Sequence, residues 1–174
     1  MTNDQAEPVV GDAGEAGGAP LLGDMLGAHR RAVRDLLAGL SDAEAAATVG
    51  VTTMTIGGIV KHLAYVEHWW LHEVMLGLPP LAPWASVDWH DDPDWDFHSA
   101  ASDTVADIVA LYDSSCEASR DAVAELGDLD ARSAATHRDR RFTLRWVLIH
   151  MIEETAQHRG HLDLLYENLS PNPH

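Results

Sequence analysis

Three residues offer this sequence a reactive centre. Glu154 and His158 stand four apart in RFTLRWVLIHMIEETAQHRGHLDLLYENL, and His62 falls inside the apolar stripe of TIGGIVKHLAYVEHWWLHEVML. Four residues is about one helical turn, so Glu154 and His158 project from the same face. Imidazole and carboxylate groups in an interior need polar partners. A divalent ion would satisfy all three side chains and leave a coordination position open for chemistry. Taken singly, each signal has a plainer reading. Most Glu-x-x-x-His pairs are solvent-facing ion pairs, and a lone core histidine more often bonds a carbonyl.

Other reactive residue types carry weaker patterns. His68 and His72 have ligand spacing, but a helical wheel puts them on the flank with Lys61, away from His62. They are expected at the surface or rim. His72 and Glu73 begin a zinc-protease signature whose last position is Leu76, so that motif is absent. There is no glycine-rich phosphate loop and no G-x-S-x-G elbow. Cys116, in SSCEASR, reads as a small buried hydrophobe. Arg138, Arg140, Arg141 and Arg145 cluster in an otherwise acidic chain. Pairing with nearby acids is their default role; over a metal they could hold a carboxylate.

The elements that must position these residues are helices. Leu22, Met25, Leu26, His29, Val33, Leu36, Leu37 and Leu40 recur at helical spacing after Pro20. A second helix is expected from the N-cap Thr55 to about Gly77, just before Pro79 and Pro80. A third spans Thr104 to Leu126 and closes at Gly127, and a fourth runs from Thr143 to about Asn168. Between the second and third lies LPPLAPWASVDWHDDPDWDFHSAAS, too long for a hairpin and rich in tryptophan. Trp84, Trp89 and Trp95 are expected to pack it onto the helices. No strand-like alternation persists, so the expected fold is all-α: a four-helix bundle with a long crossover between helices 2 and 3. Residues 1–18, rich in Gly, Ala and acids, read as a disordered tail, 19–170 as the bundle, and 171–174 as a short tail.

Bulk properties narrow the function. The 174 residues suit one domain, and 28 acidic against 11 basic residues give a net charge of −17. That charge repels phosphate backbones and anionic lipid, so neither nucleic acid nor a membrane is an expected partner. One cysteine excludes an internal disulfide and fits a reducing compartment. No apolar run is long enough to span a bilayer, and the start lacks a secretory pattern; a cytoplasmic protein is expected. Lys61 is the only lysine, a composition common in high-GC bacterial genomes.

LGAHRRAVRDLLAGLSDAE, TIGGIVKHLAYVEHWW, DDPDWDFHSAASDTVADIVALY and TLRWVLIHMIEETAQHRGHLDLLYE together resemble the DinB/YfiT-like superfamily. That group includes bacterial metal-dependent thiol transferases and the mycothiol-dependent maleylpyruvate isomerase. The likeness runs from about residue 21 to residue 168 and is greatest to an actinobacterial branch whose members mostly lack an assigned function. It implies that His62, Glu154 and His158 are metal ligands, with Glu154 where many members carry histidine, as in the isomerase pattern. Zinc is the expected ion and mycothiol the expected thiol. The resemblance further implies a small electrophilic substrate, with His161 as either a partner behind the metal ligands or an extra pocket base, and Arg145 as a candidate substrate-positioning residue. A metal-dependent hydrolase and a non-catalytic, metal-stabilised binding module are the alternatives. The chain is expected to be a monomer or a homodimer.

Overall fold

The structure is a computed structural model that describes residues 18–169. The expected tails lie outside the described residues, except that Gly18 is already the first residue of a helix. Four long helical stretches dominate: α1 (Gly18–Ala38), α3 (Ile56–Glu67), α5 (Val105–Leu126) and α6 (Leu144–Leu169). Two single-turn helices, α2 (Asp42–Ala45) and α4 (Trp95–His98), sit in the connections. The fold is all-α, as expected; among the described residues the only extended pairing is two isolated bridges, Arg132 with Thr143 and His137 with Arg140.

Local chemistry sets the helix ends. The Thr55 side chain accepts a hydrogen bond from the Gly58 backbone N–H and starts α3. Thr104 and Asp107 cap one another's backbone groups at the start of α5. Gly127 ends α5 with φ +65°, a left-handed conformation that glycine adopts without steric cost. These termini match the sequence reading. The second helix does not match it fully. Its last part, His68–Met75, widens into a π-helix before Gly77 turns the chain at φ +68°.

The crossover decides how the helices run. Trp84 and Trp89 pack on Tyr65, while Phe97 lies against Gly58 near the start of α3. The segment therefore travels back along α3 and returns the chain to that helix's N-terminal end. Consequently Ile108, early in α5, packs near Gly57, and Ser119, late in α5, donates to the Glu67 carbonyl. α3 and α5 run parallel. α1 packs on α6 and on α5, and α3 packs on α5 and on α6, which closes a ring of contacts.

Burial follows from that ring. Two apolar clusters fill it, one around Ile56, Ile59, Leu63, Tyr112 and Leu162, the other around Leu71, Met75, Leu148 and Met151. α3 is covered on every side, by α1, α5, α6 and the crossover. This corrects the expectation for His68, which is buried instead of lying at the surface or rim. Lys61, on the same flank, is buried too, pairing with Asp103 beneath Trp95. The wheel missed this because the crossover, not solvent, faces that side.

Candidate metal centre

His62 leaves the middle of α3 toward α6, and Glu154 and His158 leave adjacent turns of α6 to meet it. One ligand-type atom from each lies within 4.8 Å of the others. Glu154 Oε1 is the hub: it stands 3.1 Å from His158 Nε2 and 3.5 Å from His62 Nε2. Two donors about 2.05 Å from a tetrahedral zinc would be about 3.3 Å apart, so these spacings fit an ion of that size. The His158 Nδ1 is buried without a hydrogen-bond partner among the described residues. Two imidazoles and one carboxylate make a donor set suited to zinc and acceptable to several other divalent ions. The residues fit a metal.

A fourth residue holds the first ligand in place. His62 Nδ1 donates to Asp96 Oδ2 at 2.7 Å, and Asp96 is almost fully buried. Asp96 comes from α4, so the crossover delivers it. Phe97, next in sequence, stacks on the His62 ring at 4.4 Å between centroids. With Nδ1–H fixed on Asp96, Nε2 is the ring nitrogen left to face Glu154 and His158. Phe97 also walls a cavity of about 470 Å³ with Met54, Thr55 and His98.

Charge in the centre is strongly shifted. Burial, the largest influence on His62, lowers its pKa, but the hydrogen bonds to Asp96 and Glu154 and the charges of those two carboxylates together outweigh it and raise it to about 9. Glu154 is held far below the usual carboxylate range by its hydrogen bonds to His158 and His62, against the opposing effect of burial. Without an ion, a proton on His62 supplies the positive charge between two carboxylates. A divalent cation would take over that role.

The remaining sequence candidates scatter. His161 lies beside His158, 5.4 Å between ring centroids, with its Nδ1 buried and unpartnered among the described residues. Arg145 is not brought to the centre. It lies nine residues before Glu154 on α6, about 13 Å along the axis, and its guanidinium faces Asp130 at 3.4 Å. Arg141 donates to the Ser133 carbonyl. Cys116 is buried, its thiol pushed up by burial and by the Glu67 charge, and it contacts the Glu67 carboxylate. It remains a protonated core residue.

Asp96 is the residue of the candidate centre that sequence reasoning missed. Its signal was faint: one acid among several in HDDPDWDFHS, a segment expected only to pack. Nothing in its spacing marks it as the partner of a histidine on another element.

The family model for mycothiol S-transferases matches residues 21–171 of the chain. No curated protein matches it.

Proposed function

The chain belongs to the mycothiol S-transferase family, and we propose that it is a metal-dependent enzyme transferring mycothiol, or a similar low-molecular-weight thiol, to an electrophilic small molecule. The observation that carries the metal dependence is the convergence of His62, Glu154 and His158 within 4.8 Å from two different helices. In this reading the three hold one divalent ion through His62 Nε2, Glu154 Oε1 and His158 Nε2, with zinc the first choice. When bound, the ion supplies Lewis acidity that makes a thiol acidic near neutral pH.

The chain's own residues do the rest. Asp96 keeps the proton of His62 on Nδ1, so that Nε2 faces inward at all times. Phe97 covers one face of the His62 ring and excludes water from it. The negative charge of Glu154 leaves the centre less positive than three neutral histidines would, which keeps a thiol sulfur electron-rich. His161, next to His158, accepts the thiol proton at Nδ1. The sulfur's electron pair then forms the bond to the electrophilic carbon as that carbon's bond to its leaving atom breaks, and the leaving atom departs with the bonding pair and takes the proton held on His161.

The test is a cobalt-substituted protein and two assays. Adding thiol should change the visible spectrum of the cobalt form, and turnover of an electrophile should require thiol. Turnover that proceeds equally well without thiol would make the protein a hydrolase. A spectrum indifferent to thiol, with no turnover, would make the centre structural.

A further inference from the structure

The two helices that supply the metal ligands also build an aromatic wall beside them. On α6, Trp146, His150, Glu154 and His158 follow one another at intervals of four, in a single slowly winding stripe. His150 lies about 6 Å and Trp146 about 12 Å along the axis from Glu154. Trp69 and Trp70 follow His62 about two turns later, where α3 has widened into the π-helix. The two pairs meet. The Trp70 ring stands 5.0 Å from His150 and 5.4 Å from Trp146, and Trp146 stacks on His150 at 5.1 Å. The wall thus rises from the centre toward the end of the π-helix, while Asp96 and Phe97 hold His62 from the crossover.

A hairpin completes the wall. The Ala134 and Ala135 N–H groups donate to the Met75 and Val74 carbonyls, which ties residues 132–143 to the end of the π-helix. His137 then meets Trp69 edge-on at 4.8 Å, and Phe142 meets Trp70 at 5.3 Å and Trp146 at 4.5 Å. The hairpin turns at Arg138 and Asp139, with φ +49° and +59°. Neither is glycine, so the turn is held at a steric cost that the anchored hairpin imposes.

Packing alone does not account for these rings. Trp70 is buried and serves the core, but Trp146 is 45% exposed and Trp69 is only partly buried. Burial is what makes an indole stabilising, so Trp146 forgoes much of that gain. His150 is half-buried between the Trp70 and Trp146 rings, and its nitrogens form no hydrogen bond among the described residues. Rings fixed in place yet open to solvent, around an imidazole with no polar partner, suit a flat molecule that carries an acceptor.

We propose that this wall is the substrate subsite of the metal centre, and that the electrophile it selects carries an aryl ring. The ring packs against Trp146 and His150, with the electrophilic carbon toward Glu154 and His158. Aromatic rings attract one another beyond what buried area alone gives, so an aryl group is preferred over a saturated ring of similar size. His150 acts as a positioning residue, offering a ring N–H to an acceptor oxygen on the ligand. The spacing along α6 suits a ring about 6–12 Å from the centre, hence several bonds from the reacting carbon. The proposal deepens the thiol-transfer reading, and only its turnover rests on that reading.

The probe is phenyl glycidyl ether, an epoxide whose ring lies several bonds from the reacting carbon, compared with cyclohexyl glycidyl ether. The unreactive diols formed by their hydrolysis test binding alone, read on the indole N–H signals of the ¹⁵N-labelled full-length protein. The phenyl diol should shift Trp69 and Trp146 saturably, and the cyclohexyl diol should bind about fivefold more weakly. With saturating mycothiol, KM should be lower for the phenyl epoxide by a similar factor. Trp146→Leu should erase the preference in both assays, with circular dichroism checking that the helices stay intact. His150→Phe keeps the stacked ring, loses the N–H, and should weaken the phenyl diol about fivefold. Diols that bind alike, or no saturable shift at Trp69 and Trp146, would overturn the proposal. Discrimination between the diols without any mycothiol turnover would uphold the aryl subsite and overturn the thiol-transfer reading instead.

Discussion

Asp96 Oδ2 and His62 Nδ1 stand 2.7 Å apart across two elements 34 residues distant in sequence. That contact ties the crossover to the candidate metal centre: α4 is placed by its packing on α3, and α4 in turn fixes the ring of the α3 ligand. The crossover is thus part of the site rather than a mere connection.

Removing that hold should loosen the metal without removing a ligand. Asp96→Ala is expected to lower zinc affinity about 10–100-fold, the usual effect of losing a carboxylate behind a metal histidine. Competition with a chromophoric chelator measures it. An affinity equal to wild type would mean that His62 is oriented by something other than Asp96.

The buried Arg30–Glu67 pair makes a stability prediction. Both side chains are under 10% exposed, and Arg30 holds Glu67 through two contacts of 2.6 Å. Arg30→Met strands a buried carboxylate and should cost about 3–5 kcal/mol in urea denaturation, whereas the double variant Arg30→Met/Glu67→Leu should recover most of it. A double variant as unstable as the single would show that the pair's neighbours, not its charges, set the cost.

His68 gives a pH dependence outside the metal centre. Burial, then the neighbouring His72 charge, depress its pKa to about 4 from the ordinary 6.5. It stacks on His72 at 4.7 Å, accepts from the Leu81 backbone N–H, and has Glu73 at 3.4 Å. The folded state therefore favours the neutral ring, while the unfolded chain protonates near pH 6.5. This contribution to stability is complete above about pH 6.5 and is lost as pH falls toward 4. Ring-proton NMR should show His68 neutral at pH 5, and His68→Gln should flatten the stability profile between pH 6.5 and 4. A His68 that titrates near 6.5 would contradict the burial argument.

Thr55 separates scaffold from site. Its cap starts the helix that carries His62. Thr55→Ala should cost about 1 kcal/mol of stability and leave metal stoichiometry unchanged. Differential scanning calorimetry beside elemental analysis reads both quantities.

Much of this molecule was legible in its sequence. Thr55, Thr104 and Gly127 are helix-end signals whose chemistry is local, so their positions could be read directly. His62, Glu154 and His158 could be nominated because helical periodicity puts them on interior faces. What periodicity cannot give is the path of a long connection. The burial of His68 and Lys61, and the arrival of Asp96 at His62, both depend on where residues 76–104 run. Arg145 is nominated by charge alone: the nine helical residues before Glu154 already put it about two and a half turns away, and the structure adds its pairing with Asp130. The π-helix at His68–Met75 left no pattern in the residues that distinguishes it from an α-helix.

The central claim is that His62, Glu154 and His158 hold one ion together. Elemental analysis of the purified, tag-free protein beside its His62→Ala and His158→Ala variants tests it most directly. The expected result is about one divalent metal per chain in the wild type, lost from both variants while circular dichroism shows the helices intact. Metal retained by both variants, or a wild type that binds no added zinc, would contradict it.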